Sequence, residues 1–248
     1  MPIVSRQLTN YPSSRLLVFS SSVSTMTLVE RVTEIRERIA RAVRRGGHGQ
    51  KVTLVAVTKT FGPEAVREAY EAGVADVGEN KVQEALAKQA QVDLPVRWHL
   101  IGHLQRNKVK ALDRFHLLHS LDSARLADTV NAWALERGSP MNVLLQVNAS
   151  AEETKGGFAP AEVAAEADRL RGMAGLRVLG TMTLAPFEAS EEVLRSCFAG
   201  ARSARATLAA AGHPATELSM GMSGDFEIAV EEGATLVRLG TVLFGARS

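Results

Sequence analysis

A lysine closes the run Val52-Thr53-Leu54-Val55-Ala56-Val57-Thr58-Lys59-Thr60, and Phe61-Gly62-Pro63 then breaks it. An almost unbroken succession of apolar and β-branched residues suits a strand buried on both faces, as in the middle of a parallel sheet. Lys59 then stands at the carboxyl end of a strand, where α/β folds gather their chemistry. Desolvation lowers the pKa of an amine in such a place, which is what a Schiff-base lysine needs. The competing reading is a lysine that extends its ammonium past the strand end into water. Spacing alone favours that second reading, so the rest of the chain has to decide.

Two further stretches suit an anion. Gly221-Met222-Ser223-Gly224-Asp225 and Gly240-Thr241 each follow a predicted strand and open a predicted helix. Backbone N–H groups and the positive end of a helix bind phosphate, Ser223 and Thr241 add hydroxyls, and Gly240 lets the backbone approach closely. Ordinary strand-to-helix turns with ordinary caps are the alternative.

Behind these residues the chain alternates. Thr27 is an N-cap with Glu30 at capping-box spacing, and Leu28, Val32, Ile35, Ile39 and Val43 recur at helical intervals until Gly46-Gly47. After the Lys59 strand, strands are predicted over 74–80, 96–102, 115–121, 142–147, 176–182, 216–220 and 236–239. Helices are predicted between them over 63–72, 81–91, 104–112, 124–137, 160–171, 189–211 and 225–232, with a short closing turn over 242–245. Alternation of this kind in units of about 25 residues is the arithmetic of a single (β/α)8 TIM-type barrel. An open doubly wound sheet rarely needs so many strands in succession, and no GxGxxG follows the first one. In a barrel the strand ends converge on one face, which lines up Lys59, Asn80, His99/His103, Ser120/Asp122, Asn148, Met182/Thr183, Met220 to Ser223, Arg238, Gly240 and Thr241. The connection 148–157, with Lys155-Gly156-Gly157, lies on that face as a potential lid.

Composition narrows the partners. The chain has 248 residues, 46% of them hydrophobic, and its 29 basic against 27 acidic residues give a charge of +2. That balance argues against nucleic acid or anionic membrane as the main partner. No apolar run reaches the length of a membrane-spanning helix. The lone cysteine, Cys197, cannot form an internal disulfide, which suits a reducing, cytoplasmic setting. The cluster Arg97, Arg106, Lys108, Lys110 and Arg114 reads as a solvated helix face, and His99 with His103 as hydrogen-bonded histidines rather than metal ligands. Residues 1–26 contain Arg6 and Arg15, many serines and no acid, and read as a flexible extension ahead of a barrel over 27–248.

A lysine with a phosphate cup points to a phosphorylated aldehyde, of which pyridoxal 5′-phosphate (PLP) is the obvious candidate. Arg238 would then lie under the pyridine nitrogen and keep it unprotonated, or serve as a structural charge. Both readings stand on the residues alone. The motifs Val55-Ala56-Val57-Thr58-Lys59-Thr60, Gly78-Glu79-Asn80, Trp98-His99-Leu100-Ile101-Gly102-His103-Leu104-Gln105-Arg106-Asn107-Lys108, Leu218-Ser219-Met220-Gly221-Met222-Ser223 and Val237-Arg238-Leu239-Gly240-Thr241 resemble the YggS/PROSC family of pyridoxal phosphate homeostasis proteins. The resemblance runs from about residue 28 to 247 and implies the barrel of the alanine racemase N-terminal domain, PLP fold type III. It also implies Lys59 as the Schiff-base lysine, and Asn80, Met220, Ser223, Arg238, Gly240 and Thr241 as PLP-binding residues.

Racemases of that fold type pair the lysine with a tyrosine from a second, β-rich domain. Here the sequence ends at Ser248 and its tyrosines are Tyr11 and Tyr70, so that second base is expected to be missing. The expectation is a monomeric PLP carrier or regulator of vitamin B6 homeostasis, handing the cofactor to PLP-requiring apoenzymes without robust catalysis. The alternatives are a PLP-dependent amino-acid racemase or lyase, and a sugar-phosphate enzyme using Lys59 without PLP.

Overall fold

The computed structural model describes residues 26–150 and 156–245. Residues 1–25 of the extension predicted over 1–26, and Lys155 of the predicted lid, lie outside these described residues. The strands β1 (Thr53–Val57), β2 (Asp76–Glu79), β3 (Arg97–Leu100), β4 (Leu117–Leu121), β5 (Met141–Gln146), β6 (Leu176–Met182), β7 (Glu217–Ser219) and β8 (Leu236–Leu239) pair in parallel with their sequence neighbours. The β1–β8 pairing, Thr53 opposite Leu236 through Ala56 opposite Leu239, closes the barrel. Helices α1 (Leu28–Gly46), α2 (Pro63–Glu71), α3 (Val82–Gln89), α4 (Ala124–Arg137), α5 (Val163–Arg171), α6 (Glu191–Ala210), α7 (Phe226–Glu231) and α8 (Thr241–Phe244) complete the alternation.

Local chemistry sets the helix ends. Thr27 accepts from the Glu30 N–H while the Glu30 carboxylate accepts from Thr27 N–H, a full capping box, and Gly47 stops α1 in the left-handed region at φ 70°. Ser123 and Ser190 cap α4 and α6. One predicted α-helix takes another form: residues Arg106–Arg114 wind as a 3₁₀ helix. Its buried anchors Val109, Leu112 and Phe115 recur every third residue, the 3₁₀ repeat, and Gln105 offers no side-chain cap. Arg97, which the sequence groups with the basic residues of that segment, instead pairs with Asp76 across β2 and β3.

Alternation along the strands divides the core. Outward residues such as Leu54, Ala56, Val77, Leu100, Leu118, Leu218, Val237 and Leu239 pack under the helices. Val55, Leu117, Leu144, Met182 and Leu236 form a separate cluster that fills one layer of the barrel interior. Residues two or more further along the same inward rows, toward the carboxyl ends of the strands, include Lys59 after Val55 and Val57, His119 after Leu117, and Arg238 after Leu236. The strand period thus aims those side chains into the barrel.

Candidate functional site

A cavity of about 1000 Å³ opens at the carboxyl ends of the strands. Lys59, Asn80, Ser223, Arg238, Gly240 and Thr241 all line it. Met220 does not. It is fully buried and packs with Phe226, Ala229 and Leu218 in the layer beneath the helices, because it sits on the outward parity of β7. Met222, two residues on, lines the cavity in its place.

Lys59 stands two residues past β1 on a turn braced from outside the barrel. The hydroxyl of Thr58 donates to Glu79 Oε1 at 2.5 Å, and Lys88 Nζ donates to the Thr58 carbonyl at 2.7 Å. Lys88 also bridges Glu79 at 2.7 Å and Glu84 at 3.0 Å, and Glu84 accepts from the Thr60 N–H. Thr60 holds φ at 69°, an uncommon state for a β-branched residue, so this bracing maintains a strained backbone next to Lys59. Burial raises the pKa of Glu79 despite the opposing Lys88 ammonium. Burial also pushes Glu84 up, but the hydrogen bonds from Lys88 and the Thr60 N–H outweigh it and leave Glu84 lowered.

Asn80 is fixed by close packing. A Cβ on Gly102 would lie 2.4 Å from the Asn80 carbonyl oxygen and 2.8 Å from its Cα, so only glycine lets the β3 turn pass there. The Gly102 carbonyl in turn accepts from the Ser120 hydroxyl at 2.6 Å.

The anion cup lies between the β7 and β8 turns. Ser223 Oγ accepts from the Gly240 and Val242 N–H groups, both at 3.3 Å, so these donors and the hydroxyl converge. The helices that follow are short, six residues for α7 and four for α8, so the macrodipole expected from the sequence contributes little. The local N–H and O–H groups are what the cup has to offer. Gly240 has φ −120°, and a Cβ there would meet protein atoms of Val57 at 3.4 Å or more, which is ordinary contact. Neither backbone conformation nor packing therefore demands glycine at 240. A side chain would instead use space at the cavity wall.

Arg238 is 4% exposed and lines the same cavity. Its Nη1 donates to Ser219 Oγ at 2.6 Å and its Nη2 to the Thr183 carbonyl at 2.9 Å. Burial pulls the guanidinium down to about 10, against the pull of the Asp225 carboxylate, so it stays charged at neutral pH. Asp225 accepts from the Met222 N–H at 2.5 Å, and burial raises its pKa.

Several wall residues fall outside the sequence-based set: Phe61, Gln146, the segment Leu184–Ala189 and Leu194. Phe61 stacks toward Phe244 with ring centroids 5.1 Å apart, joining the Lys59 turn to α8. Phe187 projects at the rim and is 88% exposed. The missed signal was the length of the β6-to-α6 connection, because a long connection at the strand ends of a barrel must border its mouth. His103 and Asp122, paired at 2.6 Å, form another part of the wall. Among the described residues no group of three His, Cys, Asp or Glu could hold a metal, and no helix is long and apolar enough to cross a membrane.

Known proteins share this fold. The family described as "Alanine racemase, N-terminal domain" matches residues 31–248. The pyridoxal phosphate homeostasis protein of Aquifex aeolicus is 43% identical over 226 residues, 90% of this chain and 99% of that protein. The structure of PipY from Synechococcus elongatus PCC7942 with PLP bound superposes with a TM-score of 0.78 at 38% identity, covering 88% of this chain and all of that one. Alanine racemase from Corynebacterium glutamicum, at 16% identity and a TM-score of 0.66 over 85% of this chain and 61% of its own length, shares the fold.

Proposed function

The chain belongs to the pyridoxal phosphate homeostasis proteins, on the alanine racemase N-terminal domain, and from that premise we propose that it binds PLP in the barrel-mouth cavity as a Schiff base on Lys59. The observation that carries this reading is the meeting of a braced lysine and a cup of convergent N–H and O–H groups in one cavity. PLP, when bound, supplies an aldehyde that an amine can capture and a phosphate that such a cup can hold. Lys59 presents the amine. Ser223, Gly240 and Thr241, with the Val242 N–H, hold the phosphate, and the room left at Gly240 fits a ligand approaching the backbone there. Arg238 faces the ring nitrogen as a permanent donor, and Asn80 lines the wall beside the ring.

We read the site as a holder that passes PLP to PLP-requiring apoenzymes, rather than a robust catalyst. A cation that keeps its proton weakens the ring as an electron sink. No tyrosine is among the described residues lining the cavity, so a racemase's second base has no counterpart there. The relatives carry the name of homeostasis proteins. We assign the chain to the cytoplasm, a reducing setting that suits a sequence with a single cysteine, and take it to act as a monomer.

The test is to add PLP to purified protein, follow the visible absorbance band, reduce with borohydride and map the modified peptide. Modification at Lys59, and its loss in Lys59→Ala, is the expected result. A trapped adduct on another lysine in the Lys59→Ala variant defeats the assignment. Deuterium exchange at Cα of a panel of amino acids separates holder from enzyme: a holder gives almost none, and sedimentation reports the oligomeric state.

A further inference from the structure

Behind Arg238 a chain of hydrogen bonds crosses the barrel interior that the binding of PLP does not by itself require. Arg238 Nη1 lies 2.6 Å from Ser219 Oγ, Ser219 Oγ 2.8 Å from His119 Nδ1, His119 Nε2 2.9 Å from His99 Nδ1, and His99 Nε2 2.9 Å from Asp76 Oδ1. Arg97 closes the far end with two bonds to the Asp76 carboxylate, at 2.7 and 2.5 Å. Asp76, His99, His119, Ser219 and Arg238 come from five different strands, and the step from His119 on β4 to Ser219 on β7 spans strands that do not pair. All five are buried.

The chemistry of the members fixes the direction of every proton. A guanidinium has donors only, so Ser219 Oγ must accept from Arg238. Ser219 has no other side-chain partner among the described residues, so its single proton goes to His119 Nδ1. His119 is then protonated on Nε2 and donates to His99 Nδ1. His99 is likewise protonated on Nε2 and donates to Asp76. Burial, with the nearby Arg238 guanidinium, holds His119 far below the usual imidazole pKa, in keeping with a neutral ring.

We propose that Asp76, His99, His119 and Ser219 are positioning residues that form a one-way donor chain, anchored on a carboxylate, which fixes Arg238 as an immobile cationic donor toward the cofactor ring. Aligned hydrogen bonds polarise one another, so the Asp76 charge makes Ser219 Oγ a stronger acceptor. Thr183 holds the other guanidinium nitrogen, which leaves the fork a single orientation. The chain thus sets affinity for an aromatic ligand with an unprotonated ring nitrogen, from residues that never touch it. This inference rests on the PLP-binding reading for its ligand, though not for its geometry.

The experiment has two arms on the full-length protein. In the PLP-free protein with ¹⁵N-labelled histidine, long-range ¹H–¹⁵N correlation is expected to show His99 and His119 as neutral Nε2–H tautomers. Either ring found as the Nδ1–H tautomer, or doubly protonated, overturns the proposal. In PLP titrations followed by the visible band, His119→Leu is expected to weaken binding about tenfold and to shift the band, since Ser219 loses its acceptor. His119→Gln, whose amide can accept from Ser219 and donate to His99, is expected to restore both to near wild type. A wild-type band and affinity in His119→Leu overturns the proposal, as does a Gln variant no better than Leu. If His119→Leu does not fold, the tautomers and the Gln variant still decide. Absence of a PLP band in the wild-type protein counts against the PLP reading instead, and the tautomer arm judges the chain regardless.

Discussion

Lys59 and Arg238, which both line the cavity, are supported in opposite ways. Lys59 is braced from outside the barrel wall, by Thr58, Glu79, Glu84 and Lys88, which follow β1 closely or belong to β2 and α3. Arg238 is braced through the interior, by residues scattered from Asp76 to Ser219. The first support is a compact cluster with two carboxylates around one ammonium. The second contains two neutral rings and a hydroxyl between its charges. A local charge cluster mainly holds backbone shape, whereas a polarised chain holds the direction of one donor, and the two should fail differently when cut.

The largest effect is expected from Lys88→Met. It leaves Glu79 and Glu84 facing each other without their shared cation, and Glu79 Oε2 is buried without a hydrogen-bond partner even now. Loss of a partner from such a buried pair costs about 3–5 kcal/mol, to be read from urea unfolding, with borohydride trapping at Lys59 falling in parallel. A variant as stable as wild type would mean that the cluster is not what holds the Lys59 turn.

The interior chain is cut next by Asp76→Asn. Burial raises the Asp76 carboxyl, but hydrogen bonds from His99 and Arg97 outweigh it and bring the group from 3.8 to about 2. The folded pKa is therefore the lower one, so the stabilisation is complete above about pH 4 and is lost as pH falls through about 2. Asp76→Asn should be less stable at pH 7 by about 2 kcal/mol, with the gap closing toward pH 2 in acid-unfolding curves. A gap unchanged across that range would show that the carboxylate charge contributes nothing.

Ser219→Ala removes the acceptor of a buried guanidinium and the donor to His119, for about 1–2 kcal/mol in thermal unfolding. Unlike Lys88→Met, it should leave trapping at Lys59 intact while weakening PLP binding. Thr60→Gly is expected to have the smallest effect and the opposite sign. Relief of the positive φ outweighs the added freedom of the unfolded chain, for a gain of about 0.5 kcal/mol in the denaturant midpoint. If Thr60→Gly destabilises, the strain reading of this turn is wrong.

Much of the barrel could be read from the chain because its signals are local. Strand β6 and helix α4 begin and end where the residue pattern puts them, and the Thr27–Glu30 box marks the start of α1. The helix predicted over 104–112 winds as 3₁₀ over Arg106–Arg114 because Val109, Leu112 and Phe115 satisfy a 3₁₀ repeat as well as part of an α-helical one. Met220 was grouped with the site because it neighbours Ser223, although parity turns it outward into the core. His119 lies between Leu118 and Ser120, where a histidine in an apolar strand carries no motif.

The sequence by itself determined the alternation of elements, the inward row that ends in Lys59, and the motifs that tie the chain to its family. Those follow from periods of two and 3.6 residues and from residue types at fixed spacing. Only the tertiary structure decided that Ser223 meets the Gly240 and Val242 N–H groups, and that Asp76 is joined to Arg238 through two histidines and a serine. Closing the barrel brings β4 opposite β7 and β8 beside β1, and a hydrogen bond reaching about 3 Å across such a gap leaves no periodicity in the chain that makes it.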